Sequence, residues 1–511
     1  MAFGAKAKTV RILRVEEMRF SDAQTIASGI SGAELMYRAG SAVFEAVHWN
    51  APVGILCGSG NNAGDGFVLA LLLAEHGIAC ELFLLSERFS SDGRFYYEKC
   101  RAAAIPCALF SEQTELSSFG TLVDCIFGTG FHGSAEGIYA AAIQAMNNSP
   151  AYVVSVDIPS GLSGNSGIAE GVCVHADKTV SIGNPQPGNY LNMAKDICPE
   201  TVCADIGITP RGAPMYLIEA DTLRRLLSPR KHDSNKGTYG YVAIIGGSAL
   251  YSGAVKLSNL SCAALRSGCG VTRLAVPASC RDAVLPYLLE STLVPIPDEN
   301  GFMTFSPEVF SSLLHHTAAC AVGMGWGSGK DNAEILRYLL TGFPSPLLLD
   351  ADALNTLALM PDRKALLNGA KTKPILTPHP GEFERLSGFS KAEIRHDPCA
   401  YVCRFARENN VILLLKGCTT IISDGDTCFL VNRGCPGMAT AGSGDLLSGV
   451  LVGLLGWLPP TALTVALGAW LCGVAGELAE KEVGSVSMLA SDTLRKLPAA
   501  FQLINNESED I

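Results

Sequence analysis

The chain is expected to fold as two α/β domains in series, each a doubly wound, mostly parallel sheet between helical layers. Three observations predict this. Short apolar, strand-like runs alternate with longer helical runs in both halves. Polar or glycine-rich loops follow the strands. A break at Ala204–Asn235, with Pro210, Pro214 and Pro229 ahead of the polar run Arg230–Lys236, separates the halves. Such alternation argues for parallel strands covered by helices on both faces. The expected domains are residues 1–215 and 216–511.

In the first half, Met18–Asn50 reads as mainly helical. Val53–Cys57 reads as a strand, Phe67–His76 as a helix and Ala79–Leu85 as a second strand, which together make a βαβ unit. Further strands are expected at Leu122–Phe127, Tyr152–Asp157 and Lys178–Ile182. In the second half the expected strands are Tyr241–Ile245, Val271–Val276, Leu347–Asp350, Pro374–Thr377, Val411–Lys416 and Thr420–Ser423, with intervening helices such as Gly253–Ser267. No short repeat is visible, and Asn505–Ile511 reads as a disordered tail.

Composition narrows the class. Hydrophobic residues make up 48% of the 511 and charged residues 17%, enough to bury large cores. The net charge of -11, with no basic stripe, argues against a nucleic-acid binder. The 18 cysteines form no CxxC pair, and Cys399 and Cys403, which share a possible helix face, have no nearby His to complete a zinc set. They read as small core residues in a reducing compartment, the cytoplasm. Lys6, Lys8, Arg11 and Arg14 have no apolar core behind them, so no signal peptide is expected. The apolar runs Leu446–Leu458 and Ala462–Ala479 flank Pro459-Pro460 and invite a membrane-hairpin reading. The first falls short of the roughly 20 residues a span needs. The second is rich in Gly and Ala and carries Glu477. Buried helices, and no membrane, are the expectation.

The loops carry the chemistry, because ligands in doubly wound sheets bind beyond the carboxyl ends of the strands. Gly58-Ser59-Gly60-Asn61-Asn62-Ala63-Gly64-Asp65-Gly66 joins a strand to a helix, where glycine loops cradle phosphates or dinucleotides. It lacks the lysine of a P-loop. Its two asparagines and Asp65 suggest oxygen ligands for a cation or a polar substrate; a tight turn is the plainer alternative. Asp124 lies in a strand followed by Gly128-Thr129-Gly130-Phe131-His132-Gly133-Ser134, and Asp157-Ile158-Pro159-Ser160-Gly161-Leu162 follows another. Asp157 stands where a buried carboxylate acts as general acid or base.

The second half repeats the pattern. Lys236-Gly237-Thr238-Tyr239-Gly240 precedes its first strand, and Gly323-Met324-Gly325-Trp326-Gly327 follows the apolar run Ala318–Val322. Asp350 and Asp352, one residue apart, share a strand face and hold magnesium through water, or else Asp352 caps a helix. Thr377-Pro378-His379-Pro380-Gly381-Glu382 puts a His and a Glu in a proline-stiffened loop. Lys416-Gly417 ends a strand, where a lysine meets a nucleotide phosphate or simply water. Thr440-Ala441-Gly442-Ser443-Gly444-Asp445 opens an apolar helix. Backbone N–H groups there point at anions, with a carboxylate at the mouth.

These motifs carry two resemblances. GSGNNAGDG, DCIFGTG and DIPSGL together resemble the NAD(P)H-hydrate epimerase domain over Val15 to Pro214, with Ala63 where that family usually has glycine. The resemblance implies a Rossmann-like three-layer α/β/α fold and substrate contacts at Asn61, Asn62, Ala63, Gly64, Asp65, Gly128, Thr129, Gly130, Phe131, His132, Gly133, Ser134, Tyr139 and Asp157. It also implies a potassium (K+) site at Asn62, Asp124 and Ser160. KGTYG, GMGWG, DADALN, TPHPGE, KG and TAGSGD resemble the ribokinase-like NAD(P)H-hydrate dehydratases over Leu226 to Leu497, with Met324 in place of a usual proline. That resemblance implies substrate contacts at Ala254, Gly325, His379 and Asp445. It places the nucleotide at Lys416, Gly417, Cys418, Thr419, Thr420 and Gly444, with magnesium (Mg2+) and ADP or ATP as co-substrate. ADP is favoured because the fused arrangement resembles bacterial members.

The implied function is repair of hydrated NADH and NADPH: Asp157 serves epimerisation, and Asp445 accepts the hydroxyl proton as a phosphoryl group is transferred and then expelled. Self-association into a homo-oligomer is expected by analogy with these families. The alternatives are a ribokinase-superfamily kinase of a vitamin precursor fused to a nucleotide-sensing domain, and a non-catalytic binding protein.

Overall fold

The computed structural model describes residues 9–260 and 266–505. The middle of the expected helix Gly253–Ser267, the basic residues Lys6 and Lys8, and the expected tail after Asn505 lie outside the described residues. The chain divides into two compact units, one over Val10–Pro214 and the other from Met215 onward.

The first unit holds a seven-stranded sheet, parallel throughout: β1 (Val53–Cys57), β2 (Cys80–Leu84), β3 (Cys107–Leu109), β4 (Thr121–Cys125), β5 (Tyr152–Val156), β6 (Lys178–Ile182) and β7 (Glu200–Ala204). Their spatial order is β3-β2-β1-β4-β5-β6-β7. The order reverses between β1 and β4, which is the switch point of a Rossmann-like sheet and opens a crevice at the strands' carboxyl ends. β1 and β4 are buried along their whole length, as strands covered on both faces must be. The edge strands β3 and β7 escape sequence pattern because they are short or largely exposed.

Two helices stand where one helical stretch was expected: α1 (Val15–Ala27) and α2 (Gly32–Ala46). Gly29, at φ 111°, ends the first, and the Ser31 hydroxyl caps the second by accepting the Glu34 N–H at 3.1 Å. The helix after β1 begins earlier than expected, as α3 (Asn61–Glu75). Only Gly58–Gly60 is a loop, and Asn61 to Asp65 form helical first turns. Gly64 serves packing there: a Cβ on it would lie 2.4 Å from the Met36 side chain, and one on Gly40 would lie 2.5 Å from Val68. Small residues at these positions let α2 and α3 approach closely.

The second unit holds a longer mixed sheet. Its strands are β8 (Met215–Leu217), β9 (Tyr241–Ile245), β10 (Val271–Pro277), β11 (Thr292–Ile296), β12 (Ala319–Val322), β13 (Leu347–Leu349), β14 (Ile375–Leu376), β15 (Ile412–Leu415), β16 (Thr420–Ser423) and β17 (Cys428–Val431). They run in the order β8-β17-β16-β15-β14-β13-β12-β9-β10-β11. β16 is antiparallel to both its neighbours; the other pairings are parallel. β8 falls inside the expected interdomain break, where prolines mask a three-residue strand.

The two apolar runs are core helices, Ser443–Leu455 and Ala462–Val483. By length and composition the second would pass for a membrane span, yet 83% of its most apolar window is buried. Glu477 in it accepts the Gly434 N–H at 2.7 Å and pairs with Arg433, so the charge is answered within the unit. Among the described residues every cysteine is a free thiol, most of them buried.

Candidate active sites

In the first unit the loops after β1, β4 and β5 converge at the switch point on a cavity of about 620 Å³. Gly58 allows this convergence: a Cβ there would sit 2.0 Å from the Ile126 carbonyl oxygen. Asp157, directly after β5, has φ 73°, a conformation costly for a non-glycine residue and typical of functional sites. Its Oδ2 accepts the Thr129 N–H at 2.9 Å, and a side chain at Gly128 would come within 2.8 Å of that oxygen. Burial pushes the Asp157 carboxyl up to about 6, against the hydrogen bond from Thr129. Asp65 is raised well above the ordinary carboxylate value, by burial first and then by the charges of Asp157 and Asp22.

Beneath the cavity, Asp124 is fully buried. It accepts hydrogen bonds from the Ile126 N–H (3.1 Å), the Ser155 hydroxyl (2.9 Å), and the N–H (2.8 Å) and hydroxyl (2.5 Å) of Ser160. No ammonium or guanidinium pairs with it among the described residues, and burial raises its carboxyl. Asn62 donates through Nδ2 to the carbonyls of Phe127 (2.9 Å) and Val156 (3.1 Å). Its Oδ1 is buried with no hydrogen-bond partner. The Phe127 carbonyl links the two groups, accepting from Asn62 Nδ2 and from the Ser160 hydroxyl at 3.2 Å. An orphaned amide oxygen together with a buried carboxylate that no cation pairs with offers the oxygen donors a hard cation takes.

The structure therefore brings Asn61, Asn62, Asp65, Gly128, Thr129, Gly130, Phe131 and Asp157 to one cavity. It does not bring the rest of the expected substrate set there. Ala63 is fully buried and Gly64 faces Met36. His132, Gly133 and Ser134 continue along an exposed loop, and Tyr139 stacks behind on Phe127, ring centroids 5.1 Å apart. The cavity also contains Arg19 and Asp22 of α1, which the motifs did not single out. A signal was available: Asp22 follows Met18 by four residues and precedes Thr25 by three, on the buried face of α1.

In the second unit three neighbouring strand ends interlock through glycines. The Gly247 N–H donates to the Met324 carbonyl at 2.9 Å. A Cβ on Gly323 (φ 122°) would sit 1.9 Å from the Asp350 carbonyl oxygen. A Cβ on Gly325 (φ 62°) would meet the Tyr251 carbonyl at 2.4 Å and the Ala254 methyl at 3.0 Å. Gly325 and Ala254 are thus neighbours, as expected of residues on one ligand.

The loop before the helix Ser443–Leu455 turns through Gly442 (φ 93°), which packs on Leu257 of the helix Ser252–Asn259. Asp445 lies in that first turn, beside Lys416: a Cβ on Gly444 would be 3.3 Å from the Lys416 Nζ. Lys416 contacts Asp350 Oδ1 at 2.9 Å and Glu382 Oε2 at 3.9 Å. The other Asp350 oxygen accepts the Ser448 hydroxyl at 2.7 Å. Burial would lower the Lys416 ammonium, but Asp350 and Glu382 outweigh it and hold the pKa above the ordinary value. Burial, and then the Asp350 charge, push Asp445 up to about 7, with Lys416 opposing. Three carboxylates, Asp350, Glu382 and Asp445, against one ammonium leave negative charge that a cation accompanying phosphate would balance. Among the described residues no three His, Cys, Asp or Glu side chains converge on a metal position by themselves.

Two expectations are corrected here. Asp350 and Asp352 do not share a strand face: β13 stops at Leu349, Ala351 turns at φ 49°, and Asp352 opens a helix and accepts the Gly327 N–H at 2.7 Å. The His379–Glu382 pair is a helix cap. His379 Nδ1 accepts the N–H groups of Gly381 (3.0 Å) and Glu382 (3.4 Å), and Glu382 Oε2 accepts the His379 N–H at 2.9 Å. The other ring nitrogen, Nε2, lies 3.5 Å from Glu382 Oε1. Of the expected nucleotide residues, Lys416 and Gly444 are adjacent, and Gly417, Cys418 and Thr419 form the β15–β16 turn that ends at Thr420. Thr419 itself is buried and bonds Asn432 at 2.9 Å.

A family model described as NAD(P)H-hydrate dehydratase matches residues 242–499, and one described as YjeF-related protein N-terminus matches residues 32–188. The chain is similar to the bifunctional NAD(P)H-hydrate repair enzyme Nnr of Moorella thermoacetica, at 34% identity over 93% of this chain and 94% of that protein. It is similar to the enzyme of the same name from Coxiella burnetii, at 33% identity over 93% and 96%. A solved ribokinase-like superfamily protein from Enterococcus faecalis superposes with a TM-score of 0.50 at 24% identity, covering 57% of this chain and 96% of that chain. This last likeness concerns the fold alone.

Proposed function

The chain belongs to the bifunctional NAD(P)H-hydrate repair enzymes, and from that premise we propose a division of labour between its two units. The first interconverts the R and S epimers of hydrated NADH and NADPH. The second dehydrates the S epimer at the expense of ADP or ATP. The observation that carries the second assignment is Asp445, a desolvated carboxylate on the first turn of a buried helix beside Lys416.

Hydroxide is a poor leaving group from carbon. A hydroxyl held at Asp445 gives its proton to that carboxylate as its oxygen attacks the terminal phosphorus. The N–H groups of Ala441–Gly444 and the Lys416 ammonium stabilise the transferring charge. Asp350 and Asp445 would face magnesium carried on the nucleotide phosphates, which would supply further neutralising charge. Phosphate then leaves with the ring hydroxyl oxygen, and loss of a neighbouring carbon-bound proton restores the double bond. Ala254, Gly325 and His379 are assigned to the dihydronicotinamide substrate, and Lys416–Thr420 with Gly444 to the nucleotide.

In the first unit, Asp157 is the proton-transfer group and Asn62, Asp124 and Ser160 would hold potassium, whose charge would offset the buried Asp124. The reducing-compartment expectation from the cysteines makes the cytoplasm the proposed location.

The test is turnover of mixed epimers of hydrated NADPH with ADP or ATP and magnesium, with and without potassium. The reading requires recovery of the reduced-nicotinamide absorbance with stoichiometric phosphate release. A stable phosphorylated product in place of NADPH would identify a kinase instead.

A further inference from the structure

Epimerising a carbon through loss and return of its hydroxyl needs two proton-transfer groups. One protonates the departing oxygen, and the other takes a proton from the water arriving on the opposite face. A single carboxyl beside the ring reaches only one face. The ionisable groups around the cavity are Arg19, Asp22, Asp65, Asp92 and Asp157. Arg19 donates to the Gly130 carbonyl, 3.4 Å away. Asp92 packs on Gly32, where a Cβ would lie 2.3 Å from its Oδ2. Asp65 sits in the first turns of α3, and burial, then the charges of Asp157 and Asp22, raise it well above the ordinary value, which disfavours it as a base. Asp22 remains. It projects from α1, an element separate from the β5 end that bears Asp157, and makes no hydrogen bond or ion pair among the described residues. A partly desolvated carboxylate without a protein partner is costly, and a substrate hydroxyl is the partner this cavity admits.

We propose that Asp22 is a catalytic residue of the epimerisation, paired with Asp157 across the reacting carbon; the proposal rests on the epimerase reading above. Hydration of an enamine places the hydroxyl on the carbon next to nitrogen. In one direction the Asp22 carboxyl gives its proton to that hydroxyl. The carbon–oxygen bond breaks, water leaves, and the ring-nitrogen lone pair forms a carbon–nitrogen double bond. Water then adds from the other face, the ring nitrogen recovers its lone pair, and the surplus proton of the water passes to Asp157. No net oxidation occurs, and the proton moved from Asp22 to Asp157 returns through solvent before the next turnover in the same direction. The reverse reaction uses the same groups with roles exchanged. Both carboxyls are suited to this: burial, then the charge of Asp157, raises Asp22 to about 6, and burial raises Asp157 to about 6. The charge of one raises the other, so the two limbs of a pH profile belong to the pair.

The experiment measures exchange between the two epimers of hydrated NADPH by the full-length protein without nucleotide, as a function of pH, for wild type, Asp22→Asn and Asp22→Glu. Asp22→Asn is expected to lower kcat by about 100-fold or more with KM near wild type, and to reduce a bell-shaped pH profile to a single ionisation. Asp22→Glu restores part of kcat and both limbs. An Asn variant that keeps wild-type kcat, that changes KM alone, or that keeps both limbs overturns the proposal. Should the Asn variant not fold, the Glu variant decides: the limb set by the new carboxyl is expected to shift in pH with kcat below wild type, and a Glu variant with kcat and both limbs at their wild-type positions overturns the proposal. A wild-type protein that exchanges no epimers sinks the epimerase reading itself, whereas an active wild type with an indifferent Asp22 sinks only this pairing.

Discussion

Asp445 shows how one residue's surroundings set its chemistry. With its carboxyl raised to about 7, it acts as a base only when ionised, so the dehydration rate should rise with pH through about 7 and level off above. Asp445→Asn should lower the dehydration kcat by ~10²–10⁴ while epimer exchange continues. The same shift sets a stability prediction. A folded-state value above the unfolded 3.8 means the protonated form is the favoured one. Its contribution is full below about 4 and is lost as pH rises through about 7. Asp445→Asn should therefore raise Tm above neutrality by a few degrees, and calorimetry showing no rise would contradict the burial account. Gly325 makes the complementary case in backbone terms. With φ 62° and the Tyr251 carbonyl 2.4 Å from any Cβ, Gly325→Ala should displace the Tyr251–Ala254 segment and abolish dehydration, while a kinetic assay finds epimerisation intact. The type of these residues was legible in the sequence, because glycine and aspartate at strand ends have few other uses. Their partners were not: that Lys416 meets Asp350 rather than water, or that His379 caps a helix, depends on contacts between segments far apart in the chain.

At the scale of elements, the region after β1 is the instructive one. The nine residues from Gly58 to Gly66 look like one flexible loop, because glycine and asparagine weaken any helical pattern. The structure places a helix start at Asn61 because the tight packing of α3 on α2, through Gly40 and Gly64, outweighs local propensity. Gly40→Val should therefore destabilise the first unit by ~1–3 kcal/mol. Thermal unfolding should show an earlier transition while dehydratase activity survives at temperatures where exchange is lost. The helix Ala462–Val483 carries the opposite lesson. Its composition fits a bilayer, and only the sheet and helices packed around it reveal a core helix.

At the scale of the molecule, the two reactions are complementary: the dehydration consumes one epimer and the exchange replenishes it. Asp157→Asn should confine the full-length protein to the S epimer of a mixed substrate, so NADPH recovery stops at the S share and resumes when wild-type protein is added. Continued consumption of both epimers at the wild-type rate would remove Asp157 from its assigned role.

The sequence by itself determined the two α/β halves, the break between them and the carboxylates and glycines at the strand ends, because periodicity and turn chemistry are local properties of a chain. Only the tertiary structure decided which of those residues meet. It drew Asp22 from a helix near the start of the chain to the cavity that holds Asp157, left Asn62 Oδ1 without a hydrogen-bond partner, and turned Ala63 and Gly64 into the core. Each of these outcomes follows from how separate elements pack, and from the electrostatic price of burying one carboxylate near another.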